Sequence, residues 1–149
     1  MGTARLEPIM ILSLGYLKGQ SMEKIRIVHN RGDTEYFFEE GCFIDEWWNA
    51  ADDPDVSIVR ARVEPGVTTR LHRLSGVTER YVILEGSGVA EVGASAAEEV
   101  GPGSVVVIPP GVSQRITNVG DTHLVFLAVC TPRFRRELYQ DIDTRHEYA

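Results

Sequence analysis

Residues 64–86 read EPGVTTRLHRLSGVTERYVILEG, and the punctuation of this stretch decides the fold. Pro65-Gly66 marks a turn, Thr69–Leu74 a short strand, Ser75-Gly76 a second turn, and Arg80–Leu84 a second strand rich in β-branched and aromatic residues. Side chains two apart in a strand share a face, so His72 and Leu74 point the same way. Across the Ser75-Gly76 turn, Glu79 starts the partner strand on that same face.

Working outward, the chain continues in the same manner. Lys24–His29, Gly41–Asn49, Val56–Glu64, Val89–Val92, Ser104–Ile108, Gln114–Asn118 and Leu124–Cys130 are further candidate strands. Asp-Pro, Pro-Gly, Gly-Ser-Gly, Gly-Pro-Gly and Pro-Pro-Gly bound them and supply the fixed or positive φ that tight turns require. Helical periodicity is nearly absent, so the pattern is that of an all-β sandwich or barrel. No linker-like run and no internal repeat divides it. The expected layout is an N-terminal extension over 1–21, one β-barrel over 22–132, and a charged tail over 133–149 that forms a short helix or a strap.

Composition bounds the partners. The chain has 149 residues, is 43% apolar and carries a net charge of −7, enough apolar material for one core and the wrong sign for a nucleic-acid backbone. Cys42 and Cys130 stand in no CxxC-type pattern, so neither a disulfide framework nor a structural zinc site is expected, and a reducing cytoplasm fits. Ile9–Leu17 is too short to span a bilayer and lacks the flanks of a signal peptide, so no membrane partner is expected. P-loop, dinucleotide, G-x-S-x-G and HExxH signatures are all missing.

The first stretch carries the spacing G-x5-H-x-L-x4-E-x6-G in Gly66, His72, Leu74, Glu79 and Gly86. A second, Gly103 to Asn118, reads G-x5-P-x-G-x2-Q-x3-N in Gly103, Pro109, Gly111, Gln114 and Asn118. Together, in this order, they resemble the two motifs of the cupin family. The resemblance implies a double-stranded β-helix, or jelly-roll, barrel over roughly residues 56–132. It also implies that His72, Glu79 and Gln114 converge on one interior point. Metal-binding cupins usually hold their ion with three histidines and one carboxylate; here Leu74 and Gln114 stand where two of those histidines would be.

Two readings of the site follow. In one, His72, Glu79 and the amide oxygen of Gln114 hold a divalent ion (Mn, Fe, Zn or Ni) that polarises a substrate oxygen. In the other, the three form a metal-free hydrogen-bonded cluster in which Glu79 and His72 act as catalytic base and partner beside a carbonyl. Tyr81, on the face of Glu79, and Cys130, opposite by alternation, are candidate substrate contacts. Arg62, with Arg60 on the same face of its strand, either binds an anionic substrate group or lies on a solvated outer face. Trp47 or Trp48 could wall the pocket mouth, while His29, His123 and His146 read as surface residues.

Cupins host many activities, so fold alone does not give function. The expectation is a metal-dependent isomerase, epimerase or dioxygenase acting on a small polar carbonyl or sugar-like metabolite. The alternatives are a non-catalytic binding or sensing module with a degenerate site and an accessory protein acting through its barrel edge. The apolar Gly41–Asn49 strand, with Phe43, Trp47 and Trp48, suggests an edge through which a homodimer forms.

Overall fold

The computed structural model describes residues 25–145; the extension over 1–21, with the apolar run Ile9–Leu17, and His146 lie outside the described residues. Eleven strands run in order: β1 Tyr36–Phe38, β2 Cys42–Trp48, β3 Ser57–Val63, β4 His72–Leu74, β5 Thr78–Glu85, β6 Gly88–Val92, β7 Glu98–Val100, β8 Val105–Ile108, β9 Gln114–Asn118, β10 Leu124–Thr131 and β11 Tyr139–Asp141. A single 3-10 turn, Arg136–Leu138, precedes β11, and no α-helix occurs among the described residues.

The strands form two antiparallel sheets, ordered β1-β2-β3-β10-β5-β8 and β11-β4-β9-β6-β7. Period-2 alternation builds the core between them. In β5, Glu79, Tyr81 and Ile83 turn inward, and in β9 Gln114, Ile116 and Asn118 do so. Val63, Ile83, Leu124 and Phe126 of the larger sheet thus pack with Ile116 of the smaller one. This is the jelly-roll arrangement expected from the two motifs.

The motif asparagine has a structural explanation. Asn118 is fully buried, and its amide NH2 donates to the carbonyls of Val63 at 2.9 Å and Thr122 at 2.8 Å. Its Oδ1 accepts from Gly120 N at 2.9 Å. One side chain therefore satisfies three backbone groups where β9 turns toward β10. Asn118→Ala would orphan all three, and urea unfolding is expected to show a loss of about 3 kcal/mol.

Some sequence expectations are corrected. The described part of the Lys24–His29 strand is irregular, with Ile25 and Ile27 in solvent, because no neighbouring strand pairs with it. β2 is not an edge: β1 pairs with it on one side and β3 on the other. Of the two forms expected for the tail, a short helix or a strap, its described part up to residue 145 lies along the barrel as a strap. β11 pairs with β4, Ser75 N donates to Leu138 O at 2.9 Å, and Asp143 accepts from Leu71 N at 2.7 Å. Arg145 donates to the same carboxylate, and these donors hold Asp143 well below the ordinary carboxylate range.

Candidate active site

The two sheets supply opposite walls. Glu79 sits on β5 with Cys130 of β10 as its neighbour on one side and Ile108 of β8 on the other. His72 sits on β4 with Gln114 of β9 on one side and Asp141 of β11 on the other. Gln114 Nε2 donates to Glu79 Oε2 at 2.8 Å, so one hydrogen bond joins the sheets across the barrel. All three side chains are buried.

The histidine's orientation is set by its own strand. His72 Nδ1 lies 2.8 Å from the Arg70 carbonyl, which only accepts, so Nδ1 carries the proton and Nε2 keeps its lone pair. The Tyr139 ring stacks on the imidazole at 5.1 Å and 24°. Nε2 faces Glu40 Oε2 at 3.6 Å, a contact too long for a hydrogen bond.

Glu40 is a site residue the sequence reading missed. It sits in the Glu39-Glu40-Gly41 turn between β1 and β2, closed by Gly41 N donating to Phe38 O at 2.9 Å. Arg70 N donates to the Glu40 carbonyl at 2.7 Å, which fixes the turn over the barrel mouth. A turn residue obeys no periodicity, so no alternation pattern reveals it.

Burial governs the electrostatics. Desolvation pushes the Glu40 carboxyl up to about 8, with the Asp141 charge adding to it. Desolvation likewise pushes Glu79 up to about 7, with His72 pulling down, Glu40 pushing up, and hydrogen bonds from Gln114 and Cys130 pulling down. His72 is held below its ordinary value by burial, against the pull of Glu79. The Cys130 thiol is pushed up by burial and then by Glu79, so it stays protonated as a donor rather than a nucleophile.

Against the larger sheet lies a small cavity of about 60 Å³, lined by side chains of β1, β2, β3, β5 and β10 together with Glu40 and Phe134; its polar members are Tyr36, Glu40, Glu46, Ser57, Glu79 and Cys130, and neither His72 nor Gln114 lines it. By that measure it accommodates several waters or the end of a small molecule. Phe38 and Phe134 stand at its outer side, shared with a surface trough of about 430 Å³.

The sequence candidates fall as follows. His72, Glu79, Gln114 and Cys130 come together. Tyr81 is buried against Phe126, with ring centroids 4.5 Å apart, and does not line the cavity. Arg62 is corrected: Ala61 and Val63 of β3 face the core, so Arg62 points outward. There it donates to Glu35 and lies 4.2 Å over the Phe43 ring. Trp47 and Trp48 line a separate groove, their indole N–H groups donating to Asp45 and Asp53. His29 and His123 are exposed.

The residues do not fit the expected divalent ion. Among the described residues, no set of three His, Cys, Asp or Glu side chains is arranged to hold a metal. Gln114 aims its NH2 rather than its oxygen at Glu79, while its Oε1 is buried with no hydrogen-bond partner. An amide donor satisfying a carboxylate is the arrangement of a hydrogen-bonded cluster, not of two ligands sharing a cation.

Comparison with known proteins agrees with the fold. The Cupin domain family model matches residues 59–130. The nucleoside dehydratase Pac13, solved in Streptomyces variants with uridine, superposes with a TM-score of 0.65 at 17% identity, covering 79% of this chain and 92% of its own. A predicted oxalate decarboxylase from Thermotoga maritima gives a TM-score of 0.64 at 25% identity, covering 72% and 99%. KdgF from Halomonas sp. gives 0.66 at 14%, covering 76% and 98%. No curated protein matches the chain in sequence. With both motifs in place on a jelly-roll barrel and the family model matching residues 59–130, that stretch of the chain is a cupin domain.

Proposed function

We propose that this cupin is a proton-transfer enzyme, an isomerase or epimerase, acting on a small polar carbonyl or sugar-like molecule. The observation that carries the reading is that two buried carboxyl groups, Glu40 and Glu79, line one small, mainly apolar cavity, with Glu46 where it meets the outer trough and His72 next to Glu40. Near neutral pH Glu79 lies at its midpoint and Glu40 is largely protonated, so one acts as base while the other donates. Glu79 takes a proton from the carbon next to the carbonyl. The electron pair moves into the carbonyl, whose oxygen accepts a hydrogen bond from Glu40. Returning the proton to the opposite face or to the neighbouring carbon completes an epimerisation or an isomerisation.

A second reading rests on a specific feature. Glu79 already takes hydrogen bonds from Gln114 and Cys130, which suits a fixed wall of a binding or sensing module. Incubation with dihydroxyacetone in D2O, followed by proton NMR, separates the two. Deuterium entering next to the carbonyl, at a rate that falls roughly 100-fold or more in Glu79→Gln, supports the enzyme. Saturable binding without exchange supports the module. Stoichiometric metal in protein purified without chelator would instead restore the metal-dependent reading.

The proposal includes a homodimer and a cytoplasmic setting. Both cysteines are free and buried, which suits a reducing compartment. No helix of the described residues is long and apolar enough to cross a membrane. The face offered to a second copy is the β8 edge, where Val105 and Val107 are more than half exposed. Sedimentation of a monomer at micromolar concentration would remove the dimer.

A further inference from the structure

We propose that Arg133 recognises a single anionic headgroup, a carboxylate or a phosphate, on the molecule whose other end enters the Glu40–Glu79 cavity. This deepens the proposed function and rests on it for the identity of the reacting end.

The argument begins with the segment after β10. Arg133 N donates to Pro54 O at 3.0 Å, and Phe134 N donates to Ser57 Oγ at 2.8 Å. Ser57 and Phe134 both line the inner cavity, so these bonds fix the segment as its rim. Phe134, Phe38, Tyr36 and Glu46 line both the cavity and the outer trough, so the two adjoin along these four side chains. Arg133, Arg135 and Arg136 line the trough.

The three guanidinium groups differ in what already engages them. Arg135 pairs with Glu137 at 3.3 Å, and Arg136 pairs with Glu39 and lies over the Tyr139 ring. Arg133 makes no ion pair among the described residues; its Nη1 donates to the neutral amide oxygen of Asn49 at 3.0 Å. A planar guanidinium held by a neutral partner keeps its full charge and spare N–H groups, the geometry that carboxylate and phosphate oxygens match. Glu46, across the trough, is engaged by the Tyr36 hydroxyl at 3.1 Å. Its charge disfavours a second anionic group further in, so the favoured ligand has one anionic end and one neutral polar end. The inner cavity has room for only the neutral end.

The test uses matched probes in which only the headgroup charge changes. Levulinate is compared with its neutral amide, and dihydroxyacetone phosphate with dihydroxyacetone, by calorimetric titration of the full chain. At least one charged probe is expected to bind about tenfold more tightly than its neutral twin at low salt, and the advantage should shrink as salt is raised. The pair that shows it assigns the headgroup as carboxylate or phosphate. Arg133→Gln should erase the advantage, and Arg133→Lys should keep part of it. Equal binding of charged and neutral probes, an advantage that survives Arg133→Gln, or no saturable binding of either charged probe at millimolar concentration would overturn the proposal. Glu79→Gln is the control that separates the two claims. Headgroup preference retained in that variant with unchanged proton exchange would sink the catalytic reading and leave Arg133 standing.

Discussion

At pH 8, Glu79→Gln is expected to melt on the order of 10 °C above the parent protein while losing the proposed proton exchange. The Glu79 carboxyl rises from 4.5 to about 7 on folding, chiefly through desolvation. A raised folded value means the folded state holds its proton more firmly than the unfolded chain does. The stabilising contribution is therefore complete below about 4.5 and is lost as pH climbs through about 7. At pH 8 the charge sits in an apolar cavity at a cost of about 3 kcal/mol, which an amide of the same shape avoids. At pH 5 the difference should fall to about 1 kcal/mol, because the group is then largely protonated when folded. Glu40, pushed up to about 8, acts with the same sign and steepens the decline of the parent protein toward alkaline pH. Thermal melts of both proteins from pH 5 to 9 read the effect. A variant that gains stability and loses exchange has a residue kept for chemistry at the expense of the fold. A variant less stable at every pH would mean Glu79 is a charged structural partner.

Gly86→Ala is expected to cost more than about 3 kcal/mol, enough to prevent the folded protein from accumulating. Gly86 closes the first motif at φ +86°, a conformation that side chains rarely adopt. A Cβ there would lie 2.5 Å from the His123 carbonyl oxygen and 2.9 Å from Leu124 Cα. Both are backbone atoms, and they lead into β10, the strand that pairs with both β3 and β5. Neither can swing aside as a flexible side chain would. Gly66 supplies the control: its φ is +77°, but nothing lies within 4 Å of its Cβ position. Gly66→Ala should cost about 1 kcal/mol, the conformational strain alone. Urea unfolding of the pair separates the steric contribution from the conformational one.

These two glycines show why the barrel was legible in the sequence. A jelly roll is made of short strands whose connections demand positive φ or fixed turns, so its punctuation is written in Gly and Pro at set distances. Strand parity then carried most of the site. His72 on β4, Glu79 on β5, Gln114 on β9 and Cys130 on β10 all sit on inward positions of strands whose alternation could be read. Parity also left Arg62 two faces to choose between, and the structure turns it outward because Ala61 and Val63 fill the inner one.

What parity could not reach lies on elements too short to have a period. Glu40 is in a turn, and Tyr139, whose ring covers His72, begins a three-residue strand pinned by pairing with β4. Arg133 follows the end of β10, and only the tertiary contact between Phe134 and Ser57 sets it at the cavity rim. The role of Gln114 was left open between two readings for a different reason. Its position marks it as a site residue, but which end of the amide faces Glu79 depends on the carboxylate it must satisfy, and that emerges only in three dimensions.

The central claim is that Glu79 is a buried, metal-free acid–base group poised near neutral pH. Its most direct test is a carbon-13 NMR titration of glutamate-labelled protein purified without chelator, with the Glu79 signal assigned by its loss in Glu79→Gln. A single transition with a midpoint near 7 is the result this account gives. A signal that stays in the carboxylate position down to pH 5 would contradict it, because a bound cation, an ion pair or dominant hydrogen bonding would then be holding this buried group ionised.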